Sequence, residues 1–241
     1  MVKDRIFADK KTAVRDFNFG KKTAAVFDDM LERSVPFYAE IQRMMGEISA
    51  EFAADGTNLY DLGCSTGTTF IAFDPIVSKK VRFIGLDSSS EMLQKARQKL
   101  VEKKVKRPVE LVCADLNGPV QVENASVVVM ALTLQFVRPL HRQALMKSIA
   151  KGINKNGCLL LIEKVLSKDS TLNRQFIKYY YGFKERNGYS RMEISRKREA
   201  LENVLIPYRV EENRELLLKS GFSEFDIFFK WYNFCGMIAV K

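Results

Sequence analysis

The stretch Leu59-Tyr-Asp-Leu-Gly-Cys-Ser-Thr-Gly-Thr-Thr-Phe70 joins an apolar run to a turn with two glycines and then to the start of a helical pattern. A strand, a glycine turn and a helix N-terminus in that order place backbone N–H groups where open α/β sheets bind their ligands. Further short apolar runs follow at 81–86, 109–113, 126–132 and 158–162, with helical patterns at 89–102 and 140–152 among them. Such alternation predicts a parallel, doubly wound sheet. Runs at 225–229 and 233–240 read as two last strands that close the sheet as an antiparallel pair. Before the sheet, apolar residues at helical period over 27–52, broken at Ser34-Val-Pro36, predict two helices and a turn. The interval 167–212 breaks the rhythm with a polar, aromatic, helical composition that includes Tyr179-Tyr-Tyr181. It reads as an inserted helical lid. The expected organisation is one unit over 1–241, with an N-terminal helical region at 1–56 and the lid at 167–212.

Composition narrows the class of function. No apolar stretch approaches the roughly 18 residues of a membrane span, and no apolar run of the signal-peptide kind follows the N-terminus. The expectation is a cytoplasmic protein that spans no membrane. Cys64, Cys113, Cys158 and Cys235 lie far apart in apolar segments, without a CxxC pair, and read as reduced core thiols. A single histidine, His141, leaves any Ser/His or Cys/His nucleophile with one possible base, and no metal site is expected. Thirty-nine Lys and Arg against 29 Asp and Glu give a net charge of +10, a balance that favours phosphate-rich or acidic partners. Its densest patch runs from Lys95 to Arg107 around Ala96, Leu100 and Val101 at helical spacing. Two readings stand, a solvated helix face and an RNA-facing surface.

The turn Asp61-Leu-Gly63 through Gly67 lacks the third glycine of a dinucleotide fingerprint and carries an acid before its first glycine. It resembles the first motif of class I S-adenosylmethionine-dependent methyltransferases, with Ser65 in place of the middle glycine. The next run ends at Asp87, twenty residues beyond Gly67, where a carboxylate can accept both hydroxyl protons of a ribose diol. The third ends in Leu111-Val-Cys-Ala-Asp115, which in such folds meets the adenine amino group. Each acid alone is also a plausible helix N-cap, and Asp87-Ser-Ser-Ser90 before a helix makes that alternative concrete. Three acids at successive strand ends favour an adenosyl site. The fold class expected is a Rossmann-like, doubly wound, mostly parallel seven-stranded sheet with an antiparallel C-terminal strand, N-terminal helices and an inserted helical lid.

The motifs Arg33-Ser-Val-Pro-Phe-Tyr38, Tyr60-Asp-Leu-Gly-Cys-Ser65, Glu123-Asn-Ala-Ser126, Thr133-Leu-Gln-Phe136, Arg186-Asn-Gly-Tyr-Ser190, Glu193-Ile-Ser-Arg-Lys-Arg198, Leu201-Glu-Asn-Val204 and Tyr232-Asn-Phe234 span the whole chain. Together they resemble the carboxy-S-adenosyl-L-methionine synthase family. The resemblance implies conversion of S-adenosyl-L-methionine and prephenate to carboxy-S-adenosyl-L-methionine and phenylpyruvate. It also implies a homodimer, and a partner tRNA carboxymethyltransferase that modifies the wobble uridine; it leaves direct tRNA binding open. Carried over by motif, Arg198 and Tyr38 are its catalytic, carboxylate-contacting positions. Gly63, Cys64 and Ser65 match its backbone contacts, Asp87 and Ser88 its ribose end, and Asp115 and Leu116 its adenine end. Without the resemblance, Tyr38 reads equally as a packing aromatic and Arg198 as a solvated charge.

Two positions depart from the family. Ala131 stands where an asparagine is usual beside the reacting end of the nucleoside, and Ser88 replaces a usual asparagine. They keep two rivals in view: an ordinary S-adenosylmethionine-dependent methyltransferase, and a weakened nucleoside-binding homologue.

Overall fold

The computed structural model describes residues 2–9 and 13–241. Helices α1 (Lys21–Ser34) and α2 (Tyr38–Phe52) precede the sheet. Pro36, which has no backbone N–H, and Phe37, with φ of 54°, form the break between them. The chain then runs β1 (Asn58–Leu62), α3 (Thr68–Phe73), β2 (Arg82–Asp87), α4 (Ser90–Glu102), β3 (Val109–Cys113) and β4 (Ala125–Ala131). It continues through α5 (Pro139–Gly152), β5 (Ile153–Leu166), α6 (Ser170–Arg186), α7 (Arg191–Leu201), β6 (Tyr208–Arg209), α8 (Val210–Leu218), β7 (Glu224–Trp231) and β8 (Phe234–Val240). The main sheet has the order β3-β2-β1-β4-β5-β8-β7. Its first five strands are parallel, and β8 runs antiparallel to both β5 and β7. This is the Rossmann-like sheet and antiparallel closure expected from the apolar pattern.

The central strand β4, Ala-Ser-Val-Val-Val-Met-Ala, is buried except at its last residue, as a parallel strand covered on both faces must be. Alternate side chains enter opposite layers. Val128 and Met130 pack with Leu145, Met146 and Ile149 of α5 and Leu217 of α8. Val127 and Val129 pack with Ile41 and Met45 of α2 and with Phe70 and Phe73 of α3. Each such side chain contributes on the order of 1.5–3 kcal/mol of burial.

Three details differ from the sequence expectations. Strand β5 extends past its apolar run to Leu166, because Lys164 pairs with Phe234 of β8 and Val165 and Leu166 pair with β6. Cys113 is exposed at the carboxyl end of the edge strand β3, whereas Cys64, Cys158 and Cys235 are buried free thiols. In the basic patch, Lys99 forms an ion pair with Asp28 at 2.8 Å. Arg107 is buried, pairs with Asp74 at 2.8 Å and donates to the carbonyls of Asp74, Val77, Ser78 and Val81. Two of the patch's cations thus hold the fold rather than face solvent. Among the described residues no helix is long and apolar enough to cross a membrane.

Candidate active site

The carboxyl ends of β1, β2 and β4 open on one cavity of about 350 Å³, within the size range of small-molecule sites. The turn after β1 forms its floor. Gly63 and Cys64 donate their N–H groups to the Leu86 carbonyl at 2.7 and 3.0 Å, so the turn folds back onto β2. Gly63 has φ of +84°, and a Cβ there would collide with the Thr133 side chain, so both backbone and space require glycine. Ser65 follows with φ of 49°, and Gly67 with φ of 74° starts α3.

Asp87 ties this turn to the next one. Its Oδ2 accepts from the Ser65 N–H and its Oδ1 from the Ser89 N–H, both at 2.9 Å. The N-cap of α4 is Ser89, whose hydroxyl accepts from the Met92 N–H, so Asp87 is not spent on capping. Burial raises its carboxyl above the ordinary carboxylate range, opposed by the two N–H donors. Each oxygen retains a second acceptor direction for a ligand hydroxyl.

Asp61 lines the same cavity from β1. Burial pushes its carboxyl up to about 7, against a lowering by the Thr69 hydroxyl and with a further rise from the Asp87 charge. Its Oδ1 is buried and has no hydrogen-bond partner among the described residues. An orphan carboxylate oxygen on a cavity wall fits a ligand that carries positive charge, as an adenosyl sulfonium with its α-ammonium group does. The Cys64 thiol is buried and shifted well above its ordinary value by that burial and by Asp61 and Asp87, so it remains a neutral thiol.

Gly63, Cys64, Ser65, Asp87, Ser88, Asp115, Leu116, Ala131 and Tyr38, singled out in the sequence, all line the cavity. Asp115 Oδ1 accepts from the backbone and the side-chain amide of Asn117, each at 2.9 Å, which orients the carboxylate. Tyr38, at the start of α2, is half-buried beside Thr68 and Gln42. Burial raises its phenol and keeps it protonated, with Asp61 and Asp28 adding to the shift. Ala131 ends β4 at the cavity. The nearby Gln135 amide does not take the place of the missing asparagine there. Its Nε2 donates to the Leu132 carbonyl at 3.2 Å and its Oε1 accepts from the Lys164 N–H at 3.1 Å.

Arg198 is the exception. It is exposed on α7 and does not line the cavity, whereas its neighbour Lys197 does. Sequence reasoning also missed Lys164 of β5, Lys184 and Tyr180 of α6, and the apolar cover from Phe17, Phe19 and Phe27. Lys164 had one signal, a Glu-Lys pair at the end of Leu-Leu-Leu-Ile. His141 is exposed on α5 and outside the cavity lining, which removes it as a base.

A family model described as a methyltransferase domain matches residues 59–157. The structure resembles that of a putative S-adenosyl-L-methionine-dependent methyltransferase from Methanococcus maripaludis, with a TM-score of 0.62 and 19% identity. That match covers 95% of this chain and 97% of the other. The sheet and the cavity at its carboxyl edge therefore define the class as the Rossmann-like fold of S-adenosylmethionine-dependent methyltransferases. Over its full length the chain is 54% identical to the carboxy-S-adenosyl-L-methionine synthase of Methylococcus capsulatus, with 100% of both chains covered. It is 44% identical to the synthase of that name from Sulfurimonas denitrificans, with 99% of both covered. The chain belongs to the carboxy-S-adenosyl-L-methionine synthase family, a group of transferase enzymes on the methyltransferase fold.

Proposed function

We propose that the protein converts S-adenosyl-L-methionine and prephenate to carboxy-S-adenosyl-L-methionine and phenylpyruvate. The observation that carries this reading is the cavity's cover. Residues from the N-terminal segment, α1, α6 and α7 lie outside the common sheet, line the site, and fall within the end-to-end match to relatives named as synthases.

The chemistry suits what the cavity supplies. A sulfonium stabilises a carbanion on its own methyl carbon, so that methyl is a weak carbon acid. Prephenate loses carbon dioxide and hydroxide as its ring becomes aromatic, leaving phenylpyruvate. The hydroxide takes a methyl proton and becomes water, and the resulting ylide carbon bonds to the carbon dioxide. No protein base is consumed, because the hydroxide that prephenate releases takes the methyl proton. The protein's part is to exclude water, to orient the two reactants, and to offset the new carboxylate's charge.

Gly63, Cys64 and Ser65 would cradle the nucleoside by backbone, Asp87 and Ser88 its ribose, and Asp115 and Leu116 its adenine. Tyr38 would meet the reacting end. Arg198, on the exposed side of α7, would contact the new carboxylate from a second subunit of a homodimer. The product would pass to a tRNA carboxymethyltransferase acting on the wobble uridine in the cytoplasm.

The test is mass spectrometry of the nucleoside after incubation of purified protein with S-adenosylmethionine, with and without prephenate. A product heavier by one carbon dioxide, formed only with prephenate, is expected. S-adenosylhomocysteine with a methylated acceptor and no such product would establish the methyltransferase instead.

A further inference from the structure

Three lysines on three separate elements, Lys164 of β5, Lys184 of α6 and Lys197 of α7, line the same wall of the cavity. Lys184 and Lys197 are 5% and 7% exposed. Among the described residues none of the three forms an ion pair with a carboxylate. Their contacts are with rings and one hydroxyl. The ammonium groups of Lys164 and Lys184 stand 4.8 and 4.9 Å from the centre of the same ring, Tyr180, and Lys164 is 5.7 Å from that of Phe234. Lys197 lies 5.7 Å from the Tyr189 ring centre and donates to the Ser34 hydroxyl at 3.4 Å.

Asp4, whose charge acts on Lys184 and Lys197, is already engaged: it accepts from the Tyr189 hydroxyl at 2.6 Å and from the Ile6 N–H. Burial pushes the Lys164 ammonium down to about 7 and that of Lys197 to about 8. Lys197 adds to the depression of Lys164; for Lys197, Asp4 opposes the shift and Arg33 adds to it. Lys184 is driven well below its ordinary value by burial, then by the charges of Lys197 and Lys164, with Asp4 opposing the shift. Three lysines that face one cavity without an ion-paired carboxylate lose charge to burial and to one another, and a ligand that brings two carboxylates restores it.

The wall is also on the correct side. In the strand order β2, β1, β4, β5 the adenosyl acid Asp87 and the lysine-bearing strand are three spacings apart, about 14 Å at roughly 4.8 Å each. The acidic side suits the cationic nucleoside, and the basic side is left for an anion.

We infer that Lys164, Lys184 and Lys197 form the receptor for the two carboxylates of the second substrate, with Tyr180 and Phe234 lying against its ring. The inference rests on the synthase reading for the identity of that substrate, prephenate, and on the cavity alone for its charge. The carboxylate of the nucleoside's own amino-acid tail is the other source of the same chemistry, and the experiment separates the two.

The experiment is calorimetric titration of prephenate into protein loaded with S-adenosylhomocysteine, for the wild type and for Lys164→Met, Lys184→Met and Lys197→Met. Each variant is expected to weaken prephenate binding by about tenfold or more, the worth of a charge-assisted hydrogen bond. Affinity for S-adenosylhomocysteine should stay within about threefold, which also shows that each variant is folded. The corresponding arginine variants should retain part of the prephenate affinity. Wild-type protein that binds no prephenate, variants that bind it as well as wild type, or variants that lose S-adenosylhomocysteine to the same degree would each overturn the inference. Prephenate binding that depends on the lysines, in a wild type that forms no carboxylated nucleoside, would instead refute the synthase reading and leave the receptor standing.

Discussion

Asp87→Asn separates a carboxylate that binds a ligand from one that only closes a turn. In the native site the two carboxylate oxygens accept from backbone N–H groups of two different loops, Ser65 after β1 and Ser89 before α4, both at 2.9 Å. An amide offers one oxygen, so one loop meets an NH2 group where it had an acceptor. A buried donor left unpaired costs about 1–3 kcal/mol, and a hydrogen bond to a charged group contributes about 1.5–3 kcal/mol. A ribose seated there would lose one charged acceptor in addition. Part of the folding cost is offset, because burial already disfavours the Asp87 charge. Binding should therefore suffer more than stability. We expect S-adenosylhomocysteine affinity to fall by about 30- to 150-fold, on the order of 2–3 kcal/mol. The melting temperature should shift by only a few degrees, about what 1 kcal/mol produces in a domain of this size. Isothermal titration and a thermal melt on the same sample read both. An Asp87→Asn protein that binds within about threefold of wild type, or one that is simply unfolded, would refute the assignment.

Three further outcomes follow from other parts of the molecule. Ala131→Asn places an amide at the cavity where Gln135 cannot supply one, and should tighten S-adenosylmethionine binding by about three- to tenfold in a direct titration, the value of one hydrogen bond; unchanged or weaker binding would refute that gain. Arg107→Ala removes a buried guanidinium that pairs with Asp74, holds four backbone carbonyls and lies 4.0 Å from the Phe83 ring centre, so urea denaturation should show a loss of about 3–5 kcal/mol; a loss under 1 kcal/mol would contradict that role. Asp61 titrates near 7 in the folded chain and near 3.8 when unfolded, so between those values the folded state binds the extra proton and this group's contribution to stability falls as pH rises; the melting temperature of ligand-free wild type should drop relative to Asp61→Asn from pH 5 to pH 7, and parallel curves would refute the shift.

Strand ends were legible because an apolar run of five or so residues stops where solvent begins, and acids at three successive ends are more than helix caps require. Asp61, Asp87 and Asp115 stood out for that reason, and all three line the cavity. The glycine turn was legible too, since Gly63 and Gly67 take left-handed backbone that glycine adopts at least cost. The lysine wall was not. Lys164, Lys184 and Lys197 come from β5, α6 and α7, and nothing in local spacing says that three such elements converge. Lys197 and Arg198 are adjacent in a basic helix, and only packing decides that the first turns inward and the second outward. Edge position was equally hidden, which is why Cys113 read as buried while the structure exposes it.

In the proposed reaction the nucleoside's methyl carbon acquires a carboxylate from the second substrate. Supplying prephenate labelled with carbon-13 in its ring carboxylate, together with unlabelled S-adenosylmethionine, tests it most directly. The nucleoside recovered from the purified protein is expected to carry one added carboxylate with the label in it, and unlabelled phenylpyruvate is expected in equal amount. An unlabelled carboxylate, or S-adenosylhomocysteine as the only nucleoside product, would contradict it.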